Sequence, residues 1–565
     1  MKKIITITTA IMLIITSVSF GQLVTKVLSY NGTGNQIDKC TGIVQDNFGF
    51  VYATGVSMGL TGTKEDYATV KYGEDGDFIW AVRYDGPGHN LDYASAITID
   101  NAGNIYVTGW SRTGTGYGSE DYYTIKYNNN GQQLWAARYD GAVTADCYYY
   151  DYAKAIVVDY SGNVYVTGES WGNDNLNGDY LTIKYNSSGA IQWAKRYNGP
   201  SSKNDYATSI GLDPSGNVYV TGASEMNGKG YDYLSVKYSP TGQQLWTARY
   251  DGPAYLDDKA NELRTDGGGN LYVTGSSHGG TSKLDYVTIK YNTAGTQQWL
   301  KRYSNPATND TDVATGIDID VYTNVYVTGY SKGPVVGTSP VHYDFATIKY
   351  QSSDGAQLWL DRVDGGGSDK AWDIKVVNKG CIQPHLQGGL GDIPCWDVFA
   401  YVTGESYKTG SGNDFLTVGY NEFGVQKWTS RFNGPQNGND AGYSVSVNAS
   451  SSLIYSGGVF ASDYGIIGIQ ELTRTGPSDF QGLSTNYPNP FNPTTNINYV
   501  LLKESNVKIT VFDILGRTVA SLVDEKKTEG SYSVTFDASN LNSGVYFYKV
   551  ETSYANETKK IVLIK

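Results

Sequence analysis

The sequence predicts an all-β protein in which eight similar four-stranded units form the blades of a β-propeller, followed by a small C-terminal β-sandwich. The 565-residue chain is too long for one ordinary core, and its 68 Gly and 49 Tyr favour short strands joined by turns. One pattern recurs about every 54 residues, as expected for a four-stranded blade. The last unit of the repeat region also lacks its fourth strand, and a segment that matches this strand precedes the first unit.

Each unit spells out four strands. An Asp-led first strand precedes a second strand that resembles VYVTG, and the eight copies of this second strand begin at Val51, Ile105, Val164, Val218, Leu271, Val325, Tyr401 and Ile454. The third strand resembles DYxTIKY and begins at Asp66, Asp121, Asp179, Asp232, Asp285, Asp344, Asp414 and Asp463. Its alternating side chains suit a pleated ribbon.

The fourth strand contains a Trp and occurs in this form in only seven units, because the last unit ends after its third strand. A matching segment, 24–32, precedes the first complete unit, with Lys26 where the other copies have Trp. We therefore predict that the N-terminal strand completes the last blade and closes the ring, which removes open sheet edges. An open linear stack is the alternative, and it would leave an unpaired strand at each end.

The repeated phrases DxxGNxYVTG and DYxTxKY resemble the β-propeller repeat family called SBBP. The resemblance covers about residues 22–475. It implies the propeller fold, and because that family has no general catalytic assignment, it implies little about ligands.

The first 21 residues have the pattern of a signal peptide: Lys2 and Lys3, an apolar run from Ile4 to Val18, and small residues before Gln22. A membrane anchor is the alternative, but the run is shorter than the ~20 residues that span a bilayer, and no later segment is long enough. The net charge of −13, without a basic block, argues against a nucleic-acid partner.

The four cysteines divide into two kinds. Cys381 and Cys395 lie in one local insertion of an exported chain, so we predict a disulfide between them. Cys40 and Cys147 lie about two repeats apart, too far to bridge if the units pack side by side. We expect each of these two to be a buried free thiol.

The repeat pattern stops after Thr475, and residues 476–486 are predicted to link the propeller to a second domain over 487–565. Alternating runs in that domain predict a small β-sandwich. Its sequence resembles the C-terminal sorting domain of the type IX secretion system of the Bacteroidota group, through YPNPFNP, ILGR, SGVYFYKV and KKIVLIK. The motif positions that match are Tyr487, Pro488, Asn489, Pro490, Phe491, Asn492, Pro493, Gly516, Arg517, Gly544 and Tyr546.

This second resemblance implies a location and a partner. The signal peptide would take the chain to the periplasm, and the type IX machinery would then move it across the outer membrane of a Gram-negative bacterium. The mature protein would be secreted or attached to the outer cell surface. An ordinary immunoglobulin-like accessory domain is the alternative, and it would not explain why all four phrases occur in this order.

Repeated acids are the first candidate site. One set begins each first strand and a second begins each third strand, and strand starts of both kinds open on the same face of a propeller. An Asp at a strand start usually ties down a turn. The sharper hypothesis is a cation site near the central mouth, with Ca²⁺ as the first ion to test, formed by Asp38, Asp92, Asp151, Asp205, Asp258, Asp312, Asp369 and Asp440.

Aromatic residues are the second candidate site. The loops between second and third strands vary most, and variable loops on a rigid scaffold often bind ligands. They contain Tyr117, Trp171, Tyr231, Tyr343 and Tyr407, with Tyr148 to Tyr150 on a neighbouring loop. Such rings suit stacking on sugars or contact with a protein, and local loop packing is the alternative.

No catalytic residue emerges from the sequence. The pattern G-x-S-x-G occurs around Ser57, Ser170, Ser277 and Ser331, but each copy leads from one strand into another, unlike a nucleophile elbow. The four histidines lack zinc-site spacing. We therefore predict a non-catalytic binding or adhesion scaffold for carbohydrate or protein. The alternative is an extracellular polysaccharide-degrading glycosidase or lyase, which needs two carboxyl groups in unequal surroundings.

Overall fold

The computed structural model describes residues 23–28, 30, 32, 38–59, 64–73, 76–114, 119–141, 150–172, 175–280, 283–333, 342–382, 394–434, 438–447, 454–459, 467–474, 484–487, 491–501, 504–514, 516–528, 530–552 and 556–565. All regular elements among these residues are β-strands, as predicted. The same residues include no helix that could cross a membrane. They form two compact units, one of residues 25–473 and the other of residues 474–565 together with Leu23 and Val24.

The strands of the first half are β1 (Leu23–Leu28), β2 (Lys39–Gln45), β3 (Val51–Met58), β4 (Glu65–Tyr72), β5 (Phe78–Tyr84), β6 (Asp92–Ile99), β7 (Ile105–Arg112), β8 (Glu120–Tyr127), β9 (Gln133–Tyr139), β10 (Asp151–Val158), β11 (Val164–Gly172), β12 (Asn175–Tyr185), β13 (Ile191–Tyr197), β14 (Asp205–Leu212), β15 (Val218–Met226), β16 (Gly230–Tyr238) and β17 (Gln244–Tyr250).

The following strands are β18 (Asp258–Thr265), β19 (Leu271–His278), β20 (Leu284–Tyr291), β21 (Gln297–Tyr303), β22 (Asp312–Ile319), β23 (Val325–Lys332), β24 (Tyr343–Tyr350), β25 (Gln357–Val363), β26 (Asp369–Ile382), β27 (Pro394–Lys408), β28 (Gly412–Asn421), β29 (Gln426–Phe432), β30 (Ala441–Val447), β31 (Ile454–Val459) and β32 (Ile467–Arg474).

These strands form four-stranded antiparallel sheets. Sheets one to seven each take four consecutive strands, from β2–β5 to β26–β29, whereas sheet eight has the order β1-β32-β31-β30. The second and fourth strands predicted from the repeats coincide with strands of the structure. The third strands also do so, although Asp463, the predicted start of the last one, lies outside the described residues. Repeated four-stranded sheets of this kind are consistent with a β-propeller.

Consecutive sheets are joined by the repeated Trp. The indole N–H of Trp193 in sheet three and the ammonium of Lys184 both donate to the carbonyl of Pro240 in sheet four, each at 3.1 Å. A Cβ added to Gly242 of the same turn would lie 2.8 Å from the Trp193 ring. The Trp therefore packs directly on the turn glycine of the next sheet, which explains why these residues recur together.

The DxxGNxY phrase closes the turn between first and second strands. Asp213 accepts hydrogen bonds from the main-chain N–H of Ser215 and of Asn217 at 3.0 and 2.9 Å. Its other oxygen accepts from the amide of Asn217 at 2.7 Å and from the hydroxyl of Tyr219 at 3.0 Å. In sheets one to six, the buried Tyr of the second strand thus finds its polar partner within its own turn.

Sheet eight joins the two ends of the repeat region. Strand β1 lies beside β32, and β2 of sheet one contacts β30 and β31 of sheet eight. Leu28 of β1, only 3% exposed, shares a core with Cys40 and Ile43 of sheet one and with Tyr455 of sheet eight. Cys40 is a buried free thiol, as predicted, and burial raises its pKa to about 12. Cys147 lies outside the described residues.

The C-terminal unit contains β33 (Ser484–Tyr487), β34 (Thr494–Leu501), β35 (Ser505–Asp513), β36 (Thr518–Lys527), β37 (Gly530–Asp537), β38 (Gly544–Glu551) and β39 (Asn556–Leu563). They form a three-stranded sheet, β33-β34-β37, and a four-stranded sheet, β36-β35-β38-β39. Side chains from both sheets enter one core, including Ile497, Phe536, Val511 and Tyr548.

The motif residues of this unit have structural positions. Phe491 is buried, donates its N–H to Val562 and accepts from Ile564, at 2.9 and 3.0 Å. Gly516 has a φ of 77°, which favours glycine in the tight turn after Asp513. The hydroxyl of Tyr546 donates to the carbonyl of Asn542 at 2.8 Å. Pro488 to Pro490 lie outside the described residues.

Candidate functional site

The eight first-strand acids are all buried and all bonded to the preceding turn. None is more than 1% exposed. Each accepts a hydrogen bond from a main-chain N–H four to ten residues upstream. These bonds are 2.5–2.8 Å long. The turn-tying role considered for these residues is therefore visible in every unit.

The acids belong to a polar row that crosses each sheet. In sheet five, Arg302 donates to the hydroxyl of Ser277 at 2.6 Å and to Asp285, the third-strand acid, at 2.7 Å. It also donates to the hydroxyl of Tyr250 in sheet four, at 2.8 Å. Ser277 is fully buried, and so are the other serines of the G-x-S-x-G pattern. They serve as hydrogen-bond partners of structural arginines, not as exposed nucleophiles.

Burial changes the acidity of the first-strand acids in one direction. It raises the pKa to about 6 for Asp92, Asp151, Asp205 and Asp369, although hydrogen bonds from nearby serines and glycines lower it in part. Burial also raises the pKa of Asp38, Asp258 and Asp312. The similarity of these environments favours a structural role over divided catalytic roles.

The structure brings members of the two acid sets together in threes. A third-strand acid, the Asp of RYDG and the first-strand acid of the next sheet can place carboxylate oxygens within 4.8 Å of one another. Such groups are Asp66, Asp85 and Asp92; Asp121, Asp140 and Asp151; Asp232, Asp251 and Asp258; and Asp344, Asp364 and Asp369. An Arg already pairs with the third-strand acid in each group. The calcium site stays a prediction.

The aromatic residues predicted for the variable loops lie in strands instead, because the second and third strands extend further than the repeat pattern indicates: Trp171 is in β11, Tyr231 in β16, Tyr343 in β24 and Tyr407 in β27. Their surroundings differ. The Trp171 indole donates to Glu169 at 2.9 Å and packs edge-on against Tyr150, with ring centroids 5.8 Å apart. Tyr231 packs against Tyr206 and Tyr343 against Tyr330, at 5.4 and 5.2 Å. Tyr407 is 42% exposed. Tyr117 lies outside the described residues. Their role in binding stays a prediction.

Trp171 and Tyr343 each belong to a larger aromatic cluster. The first cluster runs from sheet two to sheet three and comprises Tyr93, Trp110, Tyr152, Tyr150 and Trp171. Neighbouring ring centroids in it are 5.5–5.8 Å apart. The rings are half-buried, so part of each remains accessible.

The second cluster runs from sheet six to sheet eight and comprises Tyr343, Tyr330, Trp372 and Tyr443, with neighbouring centroids 5.2–6.2 Å apart. Tyr443 is 39% exposed. Burial, Glu405 and Tyr93 together raise the pKa of Tyr443. Tyr93, whose charge contributes to this shift, belongs to the first cluster.

Four rings of the two clusters, those of Tyr93, Trp110, Tyr152 and Tyr330, lie in one variable cross-strand pair of the repeat. In sheets one to seven, the residue after the first-strand acid pairs across the sheet with the x of TGxS, and sheet eight has the equivalent pair. These variable pairs are Lys39 with Val56, Tyr93 with Trp110, Tyr152 with Glu169, Tyr206 with Ala223, Lys259 with Ser276, Val313 with Tyr330, Lys370 with Glu405, and Ala441 with Val459.

The first strands also line a cavity of about 630 Å³, shared by sheets one, two, five, seven and eight. Its walls contain charged residues that the equivalent positions of most other units lack: Glu262, Arg264, Asp373 and Lys375. Arg264 donates to Glu262 at 2.6 Å and to Asp318 at 3.2 Å. The charges therefore form a network across β18, β22 and β26.

Each carboxylate of this network also bonds to the next sheet. Glu262 accepts from the main-chain N–H of Ile317 at 2.8 Å, and Asp373 accepts from that of Val445 at 2.9 Å. Burial raises the pKa of Glu262 to about 7. For Asp318, Lys375 and Arg264 outweigh burial and hold the pKa below its usual value. Within this network the Glu262 carboxyl is therefore a weaker acid than usual and the Asp318 carboxyl a stronger one.

Sequence reasoning missed this network and most of both clusters. The signal was present in the departures from the repeat. The x of TGxS changes from Val to Trp, Glu, Ala, Ser, Tyr and Glu along the chain, while the flanking residues hardly change. Aligning the units by position, before asking about ligands, would have singled out these residues.

The predicted disulfide partners are directly opposite each other in the backbone register of β26 and β27. Cross-strand neighbours have Cα atoms about 4.5–5.5 Å apart, which is within the range of a disulfide. The side chains of Cys381 and Cys395 lie outside the described part of the structure, so the bond itself stays a prediction.

Comparisons with known families match both parts of the chain. A family described as "Secretion system C-terminal sorting domain" matches residues 485–565. A family described as "Beta-propeller repeat" (SBBP) matches residues 82–113, 148–176 and 192–225. An uncharacterized WD repeat-containing protein of Acanthamoeba polyphaga mimivirus is 24% identical over 243 residues, 38% of this chain and 15% of that protein. The chain therefore matches only a small part of that curated relative.

Several solved structures share low similarity with the chain. Sqt1 from Chaetomium thermophilum has a TM-score of 0.49 and 10% identity, over 80% of this chain and 100% of that one. The polysaccharide lyase Uly1 has a TM-score of 0.36 and 12% identity, over 68% and 88% of the two chains. An α-L-arabinofuranosidase of Fusarium graminearum has a TM-score of 0.33 and 11% identity, over 57% and 92%.

Proposed function

We propose that this chain, which contains SBBP-type β-propeller repeats and a type IX secretion sorting domain, is a non-catalytic binding or adhesion scaffold. The sorting domain implies a secreted or cell-surface protein that engages the type IX secretion system. In this proposal the signal peptide is residues 1–21, and the chain passes through the periplasm to the outer surface of a Gram-negative bacterium. The sorting-domain match over 485–565 carries the export part of the proposal, and the structural use of the repeated acids and serines carries the non-catalytic part.

The scaffold itself would be a closed ring of eight blades. The placement of β1 in sheet eight and the contacts of β2 with β30 and β31 support closure. A closed ring packs both faces of every blade against neighbouring blades and leaves only short sheet edges, which suits a protein that must stay soluble outside the cell. It would also place the eight variable pairs at equivalent positions around one axis.

The commitment of the repeated acids to structure supports the absence of catalysis. All eight first-strand acids hold turns, and the repeated serines bond to arginines. Neither set is free to act as a nucleophile or as a pair of unlike acids. Ligands would therefore bind to the variable residues.

A two-part experiment tests this proposal. In a bacterium that has a type IX system, the full chain should reach the medium or the cell surface, whereas a chain that ends at residue 484 should accumulate in the periplasm. The exported protein should then bind glycans or proteins without producing new reducing ends or unsaturated sugars. Retention of the full chain would refute export, and new chain ends would refute the scaffold.

One observation favours the enzymatic alternative, a glycosidase or lyase. Glu262, which lines the cavity and has a pKa raised to about 7, and Asp318, which has a lowered pKa, are unlike carboxyl groups of one charged network. A general acid and a carboxylate that stays ionised require such a difference. Glu262→Gln should then abolish any product release while leaving binding intact.

A further inference from the structure

The variable pairs combine a fixed backbone with changing side chains. The row before them contains the buried Asp and Ser, and the row after them contains the buried Ala and Gly in sheets two to seven. A Cβ on Gly109, for example, would lie 1.9 Å from the carbonyl oxygen of Tyr93. The flanking rows are thus determined by packing, whereas the side chains of the variable pairs are largely half-buried and differ between sheets.

Aromatic rings with a packing role look different in this protein. Tyr67 and its counterparts in other sheets are fully buried, and Tyr180 donates its hydroxyl to a carbonyl of the next sheet at 3.0 Å. The rings of the two aromatic clusters are only half-buried and occur in some sheets and not others. Their distribution follows no requirement of the repeated fold, so a binding role explains it better.

Polar groups accompany the rings in a way that suits hydroxyl groups. Each cluster has a Glu and a Lys beside its rings: Glu169 and Lys154 in the first, and Glu405 and Lys370 in the second. Arg112, Glu120 and Glu65 also interact with rings of the first cluster, and Lys332 interacts with Tyr343 of the second. Lys154 lies 5.5 Å from the Tyr152 ring centroid, and Lys370 lies 5.6 Å from that of Tyr330. The indole N–H of Trp372 has no hydrogen-bond partner among the described residues.

We propose that the two aromatic clusters form a binding site for a neutral oligosaccharide. This inference rests on the proposed binding function and names its ligand class. Ring faces pack against the apolar faces of pyranose rings, while the Glu, Lys and indole groups offer acceptors and donors to the hydroxyls. The four carboxylates beside the clusters (Glu65, Glu120, Glu169 and Glu405) are balanced by four cations (Arg112, Lys154, Lys332 and Lys370), so uronic-acid chains gain no favourable net charge. The chain's net charge of −13 opposes phosphate-bearing polymers.

The test uses the secreted full-length chain with gluco-, xylo-, manno- and galacto-oligosaccharides and with oligouronates, followed by isothermal titration calorimetry. At least one neutral oligosaccharide should bind and oligouronates should not. Trp110→Ala and Tyr330→Ala should weaken binding about tenfold or more, as loss of a central aromatic contact does, and Trp110→Phe should restore most of it. Tyr160→Ala, at a 96% exposed aromatic outside both clusters, is the matched control and should bind normally.

The outcomes distinguish the oligosaccharide site from the scaffold function on which it rests. If no neutral oligosaccharide binds, or if both cluster variants bind normally, the inference is wrong, while capture of a protein ligand would leave the scaffold proposal standing. If the oligosaccharide binds through the clusters and is cleaved, the inference holds and the non-catalytic proposal is wrong. Unchanged thermal unfolding of Trp110→Ala would show that its binding loss is not caused by misfolding.

Discussion

Two carboxyl groups at opposite ends of one strand should respond to pH in opposite directions. Asp205 begins β14 and Asp213 follows its end. Burial, opposed by Ser224 and Gly199, raises the pKa of Asp205 from 3.8 to about 6. For Asp213, bonds from Asn217 and Tyr219 outweigh burial, and the pKa is lowered. Asp205→Asn and Asp213→Asn therefore test whether these environments are as described.

The sign follows from proton binding. Native Asp205 holds its proton more tightly than the unfolded chain does, so its contribution to stability is fully present below about pH 4 and is lost as the pH rises through about 6. At about 1.4 kcal/mol per tenfold change in proton affinity, the loss is about 3 kcal/mol. Asn at this position does not titrate, so the free energy of unfolding of Asp205→Asn, relative to wild type, should rise by about 3 kcal/mol between pH 4 and pH 8.

Asp213→Asn should show the reverse. The native carboxylate of Asp213 contributes stability above the unfolded pKa, and this contribution is lost as the pH falls through the lowered native pKa. The variant should therefore lose stability relative to wild type as the pH rises toward neutrality. Urea unfolding, followed by Trp fluorescence over a pH series, measures both differences. A difference between Asp205→Asn and wild type that stays constant with pH would refute the reasoning.

Four further predictions concern other contacts. Gly242→Ala adds a Cβ 2.8 Å from the Trp193 ring and should lower the free energy of unfolding by about 2–5 kcal/mol. Gly228 has a similar φ but open space around it, so Gly228→Ala should lower that free energy by only about 1–2 kcal/mol. Equal urea midpoints for the two variants would contradict the Trp contact. Leu28→Ala should lower the free energy of unfolding by about 2–5 kcal/mol, whereas Leu134→Ala, at a 52% exposed residue, should lower it by less than about 1 kcal/mol. Equal losses in the two variants would show that β1 contributes nothing to the core. Under denaturing, non-reducing conditions, alkylation should label two of the four cysteines, and four labels would exclude the Cys381–Cys395 disulfide. If Ca²⁺ binds the three-carboxylate groups, it should raise the melting temperature less in Asp85→Asn than in wild type, and no effect on wild type would refute the site.

The contrast between invariant and variable rows suggests how one repeat can serve both folding and binding. The Trp, the DxxGN turn and the Asp–Ser–Arg row are used in nearly every sheet for hydrogen bonds that close turns or join sheets. They leave the variable pairs and the neighbouring bulge positions free to change. In this view, ligand specificity evolves without altering the contacts on which the sheets depend.

The strand pattern was predictable because its causes are local. Alternation of side chains, glycine in tight turns and Asp at strand starts act within a few residues, so the all-β fold, the four strands per unit and the buried Cys40 follow from the sequence. The fourth strand of sheet eight could also be inferred, because the segment that ends in Leu28 fits the pattern that the last unit lacks.

The candidate site could be predicted only in part. Trp171 and Tyr343 were singled out in the sequence but were assigned to loops, whereas they lie in β11 and β24. Their partners Tyr152 and Tyr330 look like ordinary strand residues in the sequence. The pairing of acids in threes was also missed, because each group draws one member from the following sheet.

The sequence alone therefore determined the repeated four-stranded sheet and the sorting domain, because short local motifs identify both. Only the tertiary structure decided which side chains meet between sheets. Trp372 and Tyr443 lie 71 residues apart in the chain, yet their ring centroids are 6.2 Å apart. Glu262 likewise bonds to Ile317 in the next sheet. Strand patterns act over a few residues, whereas contacts between sheets depend on how whole units pack, so the aromatic clusters and the charged network became visible only in three dimensions.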